Sequence, residues 1–194
     1  MAKWLFISFV IIVPYVSLAQ MPINISLMNE ATAIPFTKLI TTPVHPGIQA
    51  GSGFFYKQTQ HSNLFQTINI GYIFHSKLYH GVFINTELGY DFKFSFGLNI
   101  KGAFGLGYLH TFSTHKEYQF KNGTYESVPD KGNGRLMPSI STGLGYRVQK
   151  ANLYSPEIFM MYQGWAEYPY SPGFIPVMTH INTQIGAKFF VNKK

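Results

Sequence analysis

The chain has 194 residues, of which 17% are aromatic and only 12% charged, and it has no cysteine. Ordinary globular proteins carry roughly 25% charged residues, so a soluble domain with a hydrated surface fits poorly. Absent cysteine excludes a disulfide framework, a thiolate metal site and a cysteine-linked lipid anchor. The net charge of +7 is scattered without a basic run, which argues against nucleic acid as a partner and suits anionic lipid or lipopolysaccharide phosphates.

Residues 1–19 have the three parts of a secretory signal peptide. Lys3 supplies the positive start, Trp4 to Val13 an apolar core, and Ser17-Leu18-Ala19 the small residues of a cleavage site before Gln20. The apolar run is shorter than the ~20 residues of a spanning helix. Cleavage leaves 175 of the 194 residues and, with Lys3 gone, a net charge of +6, which suits one domain.

Seven segments then alternate apolar and polar residues with a period of two, the spacing that sends side chains to opposite faces of a β-strand. Ile48 to Gln58 sets Ile48, Ala50, Phe54 and Tyr56 against Gln49, Gly51, Gly53 and Lys57. Leu64 to His75 sets Leu64, Ile68, Ile70, Tyr72 and Phe74 against Thr67, Asn69 and Gly71. His80 to Tyr90 sets Val82, Ile84, Leu88 and Tyr90 against Asn85, Glu87 and Gly89. Lys93 to about Phe112 reads as the longest strand, after a turn at Asp91-Phe92.

Met137 to Gln149 follows, with Ile140, Leu144, Tyr146 and Val148 against Ser139, Ser141 and Arg147. Glu157 to Tyr168 alternates less cleanly, because Phe159, Met161 and Trp165 fall among the polar positions. Val177 to Val191 closes the series, with Ile181, Ile185 and Phe189 against His180, Asn182, Gln184 and Lys188.

Seven strands do not close a bacterial single-chain outer-membrane barrel, which uses an even number with both termini periplasmic. An eighth strand is therefore expected within residues 23–42, where Ile23, Ile25 and Leu27 alternate with Asn24, Ser26 and Met28, and Ala33 to Thr42 competes. The resulting expectation is an all-β, eight-stranded, antiparallel up-and-down transmembrane β-barrel in the cell outer membrane. Residues 1–19 are the signal peptide, 20–46 hold the first strand or a small periplasmic extension, and 47–194 hold the other seven. The connections at 75–79, 113–136 and 169–176 then face outward from the cell.

Within the last strand, Gln184, Gly186, Phe189 and Val191 have the spacing of the C-terminal signal that outer-membrane barrels present to the barrel assembly machinery. With these residues the mature chain resembles the small outer-membrane β-barrel proteins of Gram-negative bacteria, such as OmpX and the OmpA membrane domain. The resemblance implies architecture, assembly machinery and lipid as partners, and carries over no functional residue.

A barrel of eight strands has an interior just wide enough for side chains to fill, so a wide pore is not expected. Glu87, Asn99, Lys101, Arg147, Asn182 and Lys188 form the expected polar cluster of the lumen, with Lys93, Glu167 and Gln184 of the same parity. A catalytic set is conceivable where Glu167 and His180 approach across the last hairpin, with Ser171, Ser139 or Ser141 as nucleophile. Some eight-stranded outer-membrane enzymes that modify lipid A use histidine and serine in this way. His75, His80, His110 and His115 border external turns but lack a carboxylate at ligand spacing, so no metal site and no cofactor site is expected. Gly102 to Gly107 lies inside a strand and reads as packing glycine. Ser113 to Leu136 carries the turn signal Asn122-Gly123, and a hairpin there would offer strand edges to an extracellular ligand. A structural or surface-interaction role through external loops is the first functional reading. Lipid A deacylation or acyl transfer is the second, and narrow solute transport the third.

Overall fold

The structure is a computed structural model and describes residues 20–38, 41–121, 123–150, 152–171 and 173–192. The expected signal peptide, 1–19, lies outside them. Among the described residues ten strands form: β1 (Gln20–Thr32), β2 (His45–Gln58), β3 (Ser62–Phe74), β4 (Tyr79–Lys93), β5 (Leu98–Ser113), β6 (Glu117–Lys121), β7 (Thr124–Val128), β8 (Asn133–Arg147), β9 (Glu157–Glu167) and β10 (Met178–Asn192). Eight of them close an antiparallel barrel in the order β1-β10-β9-β8-β5-β4-β3-β2, and β6 pairs with β7 alone. Closure rests on the two end strands, whose register runs from Met21 opposite Val191 to Thr32 opposite His180.

The outward face is apolar in every wall strand. Leu27, Ile70, Phe104 and Ile185 are all exposed there. Leaving such side chains in water would forgo about 1.5–3 kcal/mol each, a loss that a lipid surround removes. Aromatic residues gather at the end of the barrel that carries the termini, where Phe92, Phe94 and Phe96 pack ring on ring. At the opposite, long-loop end Tyr72 meets His80, and His110 meets Phe112.

Strand β1 places Ile23, Ile25 and Leu27 outward, and the described residues 33–38 and 41–42 belong to the connection that follows it. The turn after β4 is displaced from its expected place. Asp91 and Phe92 lie inside the strand, and the chain reverses at Phe94 to Gly97, where Phe94 N–H donates to Leu98 O and Gly97 adopts φ 102°. Alternation runs through this turn without a break, so periodicity alone could not locate it. Only glycine adopts that φ without strain.

The β1–β2 connection folds back over the outside of the wall. Tyr162 and Ile181 have outward parity yet are buried, together with Ala31, beneath Ala33. Phe36 N–H donates to the Tyr162 hydroxyl at 2.9 Å, and that hydroxyl donates to Lys38 O at 2.9 Å. Gly164 permits the approach, because a Cβ there would stand 2.7 Å from Pro35 Cβ.

Candidate functional site

Inward-facing residues stack in layers along the barrel axis. At the terminal end Phe55 and Tyr154 pack against Phe190. Above them Glu157 pairs with Lys101, with Lys188 at 2.9 Å and with Asn99 Nδ2 at 2.9 Å. Lys93 Nζ donates to Asn63 at 2.6 Å and to Thr59 O at 3.0 Å, while Arg147 Nη2 donates to Phe94 O at 3.4 Å. Burying such charges is tolerable only with these partners.

The next layer is built of amides around Glu87, which accepts from Ser141 Oγ at 2.7 Å and Gln163 Nε2 at 3.0 Å. Asn182 donates to Gln163 at 2.9 Å, and Asn69 to Asn85 at 3.0 Å. A small cavity of about 80 Å³ lies beside these two layers. Above it Met28, Ile73, Phe83, Leu109, Met137 and Trp165 form a buried apolar plug. Phe159, Met161 and Trp165, which blurred the alternation of β9, thus point into the lumen. Glu87, Asn99, Lys101, Arg147, Asn182 and Lys188 all lie inside the barrel, divided between the two polar layers.

The layer beyond the plug, at the long-loop mouth, is the candidate site. Glu167 and His180 face each other across the β9–β10 hairpin, with Oε2 and Nε2 3.2 Å apart. Glu167 also pairs with Arg135, whose guanidinium lies 5.1 Å from the Tyr170 ring. The other ring nitrogen of His180, Nδ1, is 2.7 Å from Glu30 Oε1, so the imidazole bridges two carboxylates while stacking on Trp165 at 4.1 Å. Thr32 Oγ1 lies 3.5 Å from His180 Nδ1. Ser171 lies elsewhere, in the β9–β10 loop with its backbone paired to Ile175, and Ser141 belongs to the Glu87 layer.

Of the four rim histidines, His75 alone turns inward. His80 and His110 stay on the outer face, where His110 Nδ1 lies 3.1 Å from the Tyr108 hydroxyl, and His115 is exposed in the long loop. His75 stacks on His45 at 3.6 Å between ring centroids, and His45 Nδ1 donates to Glu30 O at 3.0 Å. Burial, then the proximity of His45, holds His75 below the ordinary imidazole range. A cavity of about 290 Å³, lined by His45, His75, Tyr79, Tyr170 and His180, opens against this layer.

Glu30 and His45 escaped the sequence reading. The inward parity of Ser26 and Met28 continues to Glu30, and that of Gln49 runs back through Gly47 to His45, so extending either strand would have found them. Pro43 and Pro46 broke the second pattern.

No family model matches this sequence, and no curated protein does. Solved structures do match. Neisserial surface protein A superposes with a TM-score of 0.57 at 9% identity, covering 88% of this chain and 95% of that one. The N-terminal β-barrel domain of Pseudomonas aeruginosa OprF gives 0.50 at 14% identity, over 88% of this chain and 97% of the other. The chain has the fold of the small outer-membrane β-barrels. A third match is Ail, the attachment invasion locus protein of Yersinia pestis in complex with the heparin analogue sucrose octasulfate, with a TM-score of 0.51 and 10% identity over 89% and 98% of the two chains. Identities this low carry the barrel fold across and nothing more.

Proposed function

We propose that this protein, cleaved behind Ala19, resides in the outer membrane of a Gram-negative envelope and acts at the cell surface through its long-loop end rather than as a wide pore. The β6–β7 hairpin carries this reading. It forms a two-stranded sheet of its own outside the barrel ladder, with Tyr118, Phe120 and Tyr125 exposed. A free sheet edge beside exposed rings suits the addition of an extended partner strand. The layered lumen argues against bulk diffusion.

Lipid A modification has less support. A serine hydrolase needs a histidine with a ring nitrogen free to take the nucleophile's proton, and both nitrogens of His180 face carboxylates. Such an imidazole serves as a clamp between Glu30 and Glu167.

The test compares bacteria producing the full chain with bacteria in which residues 117–128 are replaced by a Gly-Ser linker, on immobilised extracellular-matrix proteins. Lost adhesion at an equal amount of folded barrel supports the reading, and equal adhesion refutes it. In planar bilayers the barrel is expected to show no porin-sized conductance.

A further inference from the structure

At the long-loop mouth, three metal-ligating side chains converge with atoms left bare. Glu30 Oε2, His45 Nε2 and His75 Nδ1 are buried and have no hydrogen-bond partner. One ligand atom from each of the three residues lies within 4.8 Å of the other two. An unsatisfied buried polar atom is destabilising, so three together demand a reason. The adjoining cavity, about 290 Å³, is lined by His45 and His75.

The surroundings orient these donors. A carbonyl oxygen only accepts, so the contact between His45 Nδ1 and Glu30 O puts the proton on Nδ1 and the lone pair of the neutral ring on Nε2. Glu30 is held through Oε1 by His180, and its Oε2 accepts no hydrogen bond and lies 3.8 Å from His45 Nδ1. Glu167, itself paired with Arg135, holds His180 in turn. Metal ligands in proteins have this kind of backing, with histidine donating its other nitrogen to a carbonyl and carboxylates themselves hydrogen-bonded.

We infer that Glu30, His45 and His75 bind a divalent transition-metal ion of the zinc class, with a coordination position open towards the cavity. Two imidazoles and a carboxylate suit zinc and its transition-metal neighbours, whereas calcium and magnesium prefer all-oxygen sets. Three protein ligands with one position open is the coordination of zinc sites that bind water or a small ligand. Bonds of about 2.0–2.1 Å place ligand atoms roughly 3.3–3.5 Å apart around a tetrahedral ion, so the set contracts on binding. An ion lies in the plane of each ring that ligates it, so binding also turns His75 out of its stack with His45. His75 stands in the turn after β3 rather than in the barrel wall, and this movement leaves the ladder intact. The inference is independent of the hairpin's role.

To test it, the mature chain is refolded in detergent without an affinity tag, stripped with a chelator and titrated with Zn²⁺ by calorimetry. Heat-modifiable gel mobility reports folding. One Zn²⁺ per barrel is expected, with affinity reduced at least ~100-fold in His45→Ala and His75→Ala and about 10-fold in Glu167→Gln. His61→Ala alters an exposed histidine at the other end of the barrel and leaves the titration unchanged. Co²⁺ in place of Zn²⁺ gives visible ligand-field bands that disappear in the same ligand variants. His75→Gln keeps a polar side chain and serves where an alanine variant does not fold. Absence of Zn²⁺ binding to the folded wild-type barrel overturns the assignment. So does undiminished binding by folded His45→Ala and His75→Gln, the result expected if surface histidines alone held the ion.

Discussion

The two ionic layers of the lumen are built on opposite terms. Near the termini both oxygens of Glu157 are engaged, by Lys101 on one side and by Lys188 and Asn99 on the other. The unpartnered atoms there, such as Asp91 Oδ1 and Asn99 Oδ1, belong to side chains paired through their other polar atom. At the mouth Glu30 and His45 are likewise paired through their other polar atom, but they and His75 each bring a ligand atom within 4.8 Å of the other two, and Tyr79 OH and Trp165 Nε1 also lack partners. The terminal cluster is neutralised by its own ion pairs, whereas the mouth cluster gathers three ligand-bearing residues beside the larger of the two cavities. The apolar plug between them keeps the layers from merging.

The contrast can be broken by mutation. The largest effect is expected for Glu157→Ala, which strands two buried lysines. Removing one member of a buried ion pair costs about 3–5 kcal/mol, read as a lower urea midpoint in gel-mobility unfolding. Glu167→Ala, at the mouth, should cost less, about 1–3 kcal/mol, since Arg135 is partly exposed and can turn towards solvent. Its tryptophan emission should also shift, because Trp165 stacks on the His180 that Glu167 holds.

His75 separates the two layers most clearly, since its bare nitrogen has no ion-pair partner. With metal removed, His75→Phe should leave stability within about 1 kcal/mol of wild type or raise it, because it deletes an unsatisfied polar atom. The same variant should lose the Zn²⁺ response. A loss of several kcal/mol in the metal-free barrel would return the mouth to the same class as the Glu157 layer. The smallest effect is expected for replacing residues 117–128 with a Gly-Ser linker. Barrel stability should change by no more than about 0.5 kcal/mol, because β6 and β7 make no ladder with the wall.

Much of this molecule was legible in its residues. The two-residue period is local, so the outward apolar face and the inward parity of Glu87, Lys101, Arg147 and Lys188 needed no tertiary information. The pairing of Glu167 with His180 was also within reach, since both border one hairpin. The turn at Phe94 to Gly97 was not, because alternation continued through it. Tyr162 and Ile181 have the outward parity of lipid-facing residues, and only the folded β1–β2 connection covers them.

Local alternation alone yields a ribbon with a wet face and a dry face, and closure in an outer membrane demands an even number of strands. The tertiary structure decided which inward residues meet. Glu30 and His180 are 150 positions apart and come together only because β1 pairs with β10. His45 and His75 join them through the register of β1, β2 and β3. Strand periodicity fixes the face on which a side chain stands. Its neighbours are chosen by closure and register, which depend on the whole chain at once.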